Sequence, residues 1–117
     1  MILARFDIVL VAFPFTDGPN VKPRPALVIC QSKRHQDVLL AFISSKISGA
    51  ANSDELDIHA DHPQFQQSGL KVSSRCRLSR MTTLATPLVR RRIGTLPEDM
   101  RPACVRILLE LVGAADT

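Results

Sequence analysis

Tryptophan and tyrosine are absent from the 117 residues, and five phenylalanines are the whole aromatic complement. That disfavours a pure single-strand nucleic-acid module, which relies on aromatic platforms; any base stacking falls to Phe13, Phe15 or another phenylalanine. Cysteine is also scarce. Cys30, Cys76 and Cys104 are odd in number, far apart and never in a Cys-x-x-Cys pair. They argue against a disulfide framework or a zinc finger and suit small buried side chains in a reducing cytoplasm. The longest apolar run, Ile8–Phe15, is eight residues and holds a proline, against the roughly 20 that a membrane-spanning helix needs. Only Arg5 lies ahead of that run, Asp7 abuts it and no small-residue cleavage site follows. Neither a membrane anchor nor a secretory signal is expected, and the cytoplasm is the expected location.

The composition is otherwise that of a globular chain, with 45% hydrophobic and 22% charged residues, and residues 1–117 are expected to form one domain. The net charge of +4 is unevenly spread. Residues 1–50 carry six basic and three acidic side chains, and residues 71–117 carry nine and four. Between them, residues 51–70 hold four acids (Asp54, Glu55, Asp57, Asp61) and no lysine or arginine. A basic surface divided by one acidic segment suits either a polyanion bound on a defined face or a solvated surface without a partner.

The pattern predicts strands first and a helix last. Asp7–Phe15 is rich in β-branched and aromatic residues and runs into a turn cluster, Thr16-Asp-Gly-Pro-Asn20. Pro25–Cys30 and Asp37–Ile43 read as a second and a third strand joined by a short polar hairpin loop. Glu55–His59 alternates as a half-solvated fourth strand does. In Gly69–Leu78, Leu70, Val72, Ser74, Cys76 and Leu78 share one face, and Lys71, Ser73, Arg75 and Arg77 share the other. Leu88–Ile93 is a short last strand. Met100, Ala103, Cys104, Ile107, Leu108 and Leu111 then form a helical apolar stripe, with Glu98 and Asp99 in the first turn and Gly113 as the stop. Pro102 fits only an early helical position, so the regular helix is expected to begin near Asp99 to Arg101 after a looser turn. The whole is mainly β: a small antiparallel barrel with a C-terminal helix over one opening.

Four constellations bear on chemistry. Asp57, His59, Asp61 and His62 have the look of a metal-binding tract, but on a strand His62 points away from the others, and solvated strand and loop residues are the better reading. Lys22-Pro-Arg24-Pro25 holds an arginine between prolines on a stiff extended stretch, preorganised for a phosphate, or else it is a surface arginine beside turn prolines. Ser44-Ser45-Lys46 ends the third strand with two hydroxyls and an ammonium. Arg75 and Arg77, with Arg80 and Arg90–Arg92, either line a groove for a nucleic-acid backbone or form a solvated face.

Five blocks in order, Asp7-Ile-Val-Leu-Val-Ala-Phe-Pro-Phe-Thr-Asp17, Lys22-Pro-Arg-Pro-Ala-Leu-Val-Ile29, Ile43-Ser-Ser-Lys46, Gly69-Leu-Lys-Val72 with Arg77-Leu78, and Arg92-Ile-Gly-Thr-Leu96, resemble the PemK/MazF family. The Arg-Pro-Ala-Leu-Val block is the most specific. The resemblance spans nearly the whole chain and implies an SH3-like β-barrel with a C-terminal helix, usually homodimeric. It implies the toxin of a type II toxin–antitoxin system, a sequence-specific endoribonuclease that needs no metal or cofactor and is inhibited by a cognate antitoxin. The family's catalytic arginine falls on Arg24 and its catalytic hydroxyl on Ser44. Single-stranded RNA contacts are expected at Phe15, Thr16, Asn20, Lys22, Ser45, Lys46, Arg75 and Arg77, within and beside the loops Thr16–Pro23 and Lys46–Ser53. In the family Arg24 is thought to share in proton transfer. A guanidinium holds its proton so tightly that it is a weak candidate for a base, so the electrostatic role carries more weight. An acidic, disordered antitoxin segment is the expected inhibitor.

Three departures bear on this reading. Phe6 replaces the glycine that commonly precedes Asp-Ile-Val, Ser44 replaces a common threonine, and Ser73 stands where relatives are often acidic. Two other classes share the fold: a CcdB-like toxin that inhibits DNA gyrase through protein contacts, and an SH3-like binding module without turnover. The gyrase inhibitor would not need Arg24 and Ser44 together.

Overall fold

The computed structural model describes residues 1–12 and 22–113. Six strands form one antiparallel sheet: β1 (Asp7–Val11), β2 (Arg24–Ser32), β3 (Asp37–Ser44), β4 (Glu55–Ile58), β5 (Ser74–Ala85) and β6 (Val89–Thr95). Their order is β4-β5-β3-β2-β1-β6, so β4 and β6 are edges and the barrel-like sheet stays open between them. One helix, α1 (Arg101–Leu111), follows. The sheet buries both faces, which is why β1 to β3 read as apolar runs rather than clean alternations. Ile8, Leu27, Ile43 and Leu78 pack with Cys104 and Ile107 of α1 on one face. Val9, Val11, Val28 and Leu40 gather on the other with Leu84 and Val89.

The helix is as its stripe predicts. Cys104 and Ile107 are buried, Met100, Ala103 and Leu108 pack against the same cluster, and only Leu111 stays outside at 39% exposure. Pro102 occupies the first turn, and Gly113 at φ 77 follows the helix end. Glu98 and Asp99 are not in the helix but in a preceding 3₁₀ turn, Glu98–Met100. Of the cysteines, Cys30 is exposed, contrary to expectation, while Cys76 and Cys104 are buried. Burial pushes the Cys104 thiol up to about 11 and raises Cys76 further, with Cys104 adding to it, so both are inert neutral thiols.

Three local features reshape the expected elements. First, Phe6 keeps the turn a glycine would make, at φ 78. Its ring packs against the helix-side core and lies 5.1 Å below the Arg101 guanidinium. Second, the strand expected from Gly69 begins only at Ser74. Gly69, at φ 71, closes the 3₁₀ turn Phe65–Ser68, and a Cβ there would overlap the Ile93 carbonyl. A Cβ on Gly94 would likewise overlap the Gln67 carbonyl, so the turn seals the β6 edge through two glycines. Val72, expected to share a strand face with Cys76 and Leu78, is 53% exposed, whereas those two are buried. Third, β5 runs on to Ala85 through a bulge. Ile43 pairs with Cys76 but Ala41 pairs with Met81, so Arg77 to Arg80 leave the β3 ladder.

Candidate active site

The bulge opens a cleft of about 320 Å³ on the sheet, lined by Ser44, Lys46, Ser48, Glu55, Arg75, Arg77, Arg80 and Phe42. Antiparallel pairing explains its charge. Glu55 pairs with Arg77 and Asp57 with Arg75, while Ser44 of the neighbouring strand pairs with Arg75. Residues two apart share a face, so the acids of β4 and the bases of β5 stand side by side, next to the end of β3. Arg77 Nε lies 3.6 Å from Glu55 Oε2, yet its side chain keeps 47% of its exposure. Lys46 and Arg80 are exposed. The outer wall is therefore cationic, and the Glu55 carboxylate at its base is 8% exposed.

Arg24 and Ser44 belong to one end of the sheet. The β2–β3 register runs Val28↔Leu40, Leu27↔Ala41, Ala26↔Phe42. Continued along both strands it sets Arg24 opposite Ser44, on the face shared by Ala26 and Phe42. On its other side Arg24 pairs with Val11 of β1. Pro25 blocks the helical region at Arg24, so the arginine begins the strand in extended backbone. Arg24 is exposed, and its side chain makes no hydrogen bond or ion pair with another described residue. It is not among the residues that line the cleft. The Ser44 hydroxyl accepts the Lys46 backbone N–H at 3.1 Å, which orients its oxygen while its own proton stays free to donate.

Arg75 stands apart from the other bases. It is 6% exposed, and its fork is already engaged. Nε and Nη2 donate to Asp57 Oδ1 and Oδ2 at 2.6 and 3.0 Å. Nη1 and Nη2 donate to the carbonyls of Ser48 and Gly49 at 3.0 and 2.8 Å. The Arg75 hydrogen bond holds the Asp57 carboxyl below the ordinary carboxylate range, against the opposing effect of burial, and Asp57 in turn raises the guanidinium. Four of the five Arg75 donors are committed to these bonds, so the exposed Arg77, Lys46 and Arg80 are the cations more open to a phosphate.

Of the remaining expected contacts, Lys22 and Ser45 are exposed and flank Arg24 and Ser44 in sequence, while Phe15, Thr16 and Asn20 lie outside the described residues. The histidine tract is dispersed: Asp57 serves Arg75, and His62 Nε2 donates to Asp99 at 2.9 Å. Ser73 accepts the Ala60 N–H at 2.7 Å and thus ties the loop after β4 to the start of β5. The pairings of Glu55 with Arg77 and of Asp57 with Arg75 are features that the motifs did not single out. Their signal was present, since an alternating acidic strand and an alternating basic strand are natural antiparallel partners.

Residues 4–112 match the family described as PemK-like, MazF-like toxin of type II toxin–antitoxin system. The chain belongs to that family. No curated protein sequence matches it significantly. Among solved structures it is similar to the Mycobacterium tuberculosis toxin MazF-mt6, at 20% identity and a TM-score of 0.68, with 91% of this chain and 95% of that one covered. It is also similar to a mycobacterial endoribonuclease solved in complex with its cognate antitoxin, at 11% identity and a TM-score of 0.68, with 96% of each chain covered. At these identities the likeness is one of fold. It agrees with the mainly β, barrel-like sheet with a C-terminal helix expected for a PemK/MazF toxin. Among the described residues, no helix is long and apolar enough to cross a membrane.

Proposed function

We propose that this chain is the toxin of a type II pair and a sequence-specific endoribonuclease, cutting single-stranded RNA by attack of the substrate's own 2′-OH. The observation that supports this reading is that Arg24 and Ser44 each lie two residues beyond the last paired positions of β2 and β3, Ala26 and Phe42, with Ser44 lining a cleft walled by Lys46, Arg77 and Arg80. In the reaction the 2′-oxygen bonds to phosphorus and the P–O5′ bond breaks. The 2′-OH gives up its proton and the leaving 5′-oxygen gains one, so the products are a 2′,3′-cyclic phosphate and a 5′-hydroxyl. Such a step needs no metal and no protein nucleophile, only alignment and donors for the charge that gathers on phosphorus. Arg24 supplies charge and a planar pair of donors. Ser44 holds a phosphate oxygen or the attacking hydroxyl. Lys46 and Arg77 carry the flanking phosphates, with Lys22, Ser45, Phe15, Thr16 and Asn20 as further contacts in the adjoining segments.

Membership of the toxin family, and a fold neighbour solved with its antitoxin, support an acidic cognate antitoxin as inhibitor, a homodimer as the working form and the cytoplasm as the place of action. The test is cleavage of a long single-stranded RNA in excess EDTA by the parental chain and by Ser44→Ala. The parent cuts and the folded variant does not. A parent that leaves RNA intact but blocks DNA gyrase would favour the CcdB-like alternative.

A further inference from the structure

Arg75 is the one base of the cleft that faces inward, and its partners explain why. A guanidinium carries five N–H donors. At Arg75 the donors make four bonds: two to the Asp57 carboxylate and two to the carbonyls of Ser48 and Gly49. These groups belong to three parts of the fold, namely β5, β4 and the segment that leaves β3. That segment has no strand ladder beyond Ser44, and it turns at Gly49 with φ 68. It also carries Lys46, whose backbone N–H is bonded to the Ser44 hydroxyl. A chain of contacts thus runs from Asp57 through Arg75 and the Ser48–Gly49 carbonyls to the loop that orients Ser44.

We infer that Arg75 and Asp57 are positioning residues for RNA cleavage: the ion pair fixes the loop after β3, and neither member touches the substrate. The inference rests on the reading that Arg24 and Ser44 act at the scissile phosphate. Its distinguishing consequence is one of sign. Asp57 places a negative charge beneath a cleft built for a polyanion, so charge alone predicts that removing it tightens RNA binding and does no harm. Positioning predicts that the same change costs turnover, because small displacements of aligned groups cost up to about 100-fold in rate.

Steady-state cleavage of one RNA by the parent and by Asp57→Asn separates the two. The expected result is a kcat lower by on the order of 10-fold or more, with KM unchanged or lowered. A parental kcat in folded Asp57→Asn overturns the proposal. Should that variant not fold, Arg75→Lys carries the same test, since it keeps the charge and loses the fork. Its kcat is expected to fall by a similar factor, and a parental kcat would again overturn the idea. RNA binding against salt adds a readout that mere folding does not move. Each phosphate contact adds roughly one unit to the slope of log affinity on log salt. Arg77→Gln is expected to lower that slope by about one and Arg75→Gln to leave it alone. A lower slope for Arg75→Gln would make it a substrate contact and end the positioning role. In the same assays Arg24→Ala checks the underlying reading: if it cleaves at the parental rate, that reading fails, whereas a silent Arg24→Ala beside a fully active Asp57→Asn removes only the clamp.

Discussion

At Arg24 the backbone and the charge act together. Pro25 holds the residue extended, and the exposed guanidinium stands at the strand end that continues into register with Ser44. Loss of one preorganised transition-state donor typically costs about 10²–10³ in rate, so Arg24→Ala is expected to lower RNA cleavage by at least that much. Its urea midpoint should match the parent's, because the side chain packs in neither core cluster. Arg24→Lys is expected to recover little, since an ammonium cannot reproduce the planar fork. A second residue, Phe6, tests backbone strain. It occupies a left-handed conformation that favours glycine, while its ring supports the core and Arg101. Phe6→Ala loses the ring and keeps the strain, whereas Phe6→Gly loses the ring and relieves it. Urea unfolding is therefore expected to find Phe6→Gly the more stable of the two by roughly 1 kcal/mol; equal midpoints would mean the turn carries no strain.

Among elements, the β4–β5 pairing matters most for the site because it joins the acidic and the basic segments. Arg75 holds the Asp57 carboxyl below its ordinary range in the folded chain. The unfolded chain therefore takes up the proton first as pH falls, and the stabilisation is full above about pH 4 and lost below it. Asp57→Asn resembles the protonated form. The stability gap between parent and Asp57→Asn should be constant from about pH 7 to pH 5 and shrink as the pH drops below about 4. Denaturant titrations at several pH values check this, and a gap that persists undiminished into strong acid would show that the pair is not linked to folding.

The same elements show what the sequence made legible. Strands β1 to β4 and the helix follow from apolar runs and a helical stripe, with bounds within a few residues of expectation, except that the expected end of the first strand at Phe15 lies outside the described residues. Strand β5 was half hidden. Its later part, Ser79–Ala85, is broken by Arg80, Thr82 and Thr83, and its expected beginning is occupied by the Gly69 turn that seals the β6 edge. At the candidate site, Arg24 and Ser44 were singled out by the family resemblance, since their own motifs read equally as a surface arginine beside prolines and a polar strand end. Arg75 was legible as a base on a strand but not as a buried one. Its burial depends on Asp57, 18 residues away, and strand pairing is a non-local fact that one segment does not record.

At the scale of the molecule, the cleft gathers four bases, Lys46, Arg75, Arg77 and Arg80, around one acid, Glu55. Under the proposed function, Lys46, Arg77 and Arg80 would attract RNA and an acidic antitoxin segment alike, which suits competitive inhibition by a segment that folds as it binds. Long-range steering is screened beyond about 10 Å at 0.1 M salt, so antitoxin association should slow as salt rises and the bound segment should block cleavage. Stopped-flow association at a series of ionic strengths, paired with cleavage assays, tests both parts. A rate indifferent to salt, or tight binding that leaves cleavage intact, would place the antitoxin elsewhere.

The chemistry itself is tested most directly by the ends of the RNA fragments. Mass spectrometry of the products formed in excess EDTA should find a 2′,3′-cyclic phosphate on the upstream fragment and a 5′-hydroxyl on the downstream one. An otherwise identical RNA with a single 2′-deoxy residue at the cut should stay whole. Fragments bearing a 5′-phosphate, cleavage of the 2′-deoxy substrate, or activity that vanishes with the chelator would contradict 2′-OH attack assisted by Arg24 and Ser44.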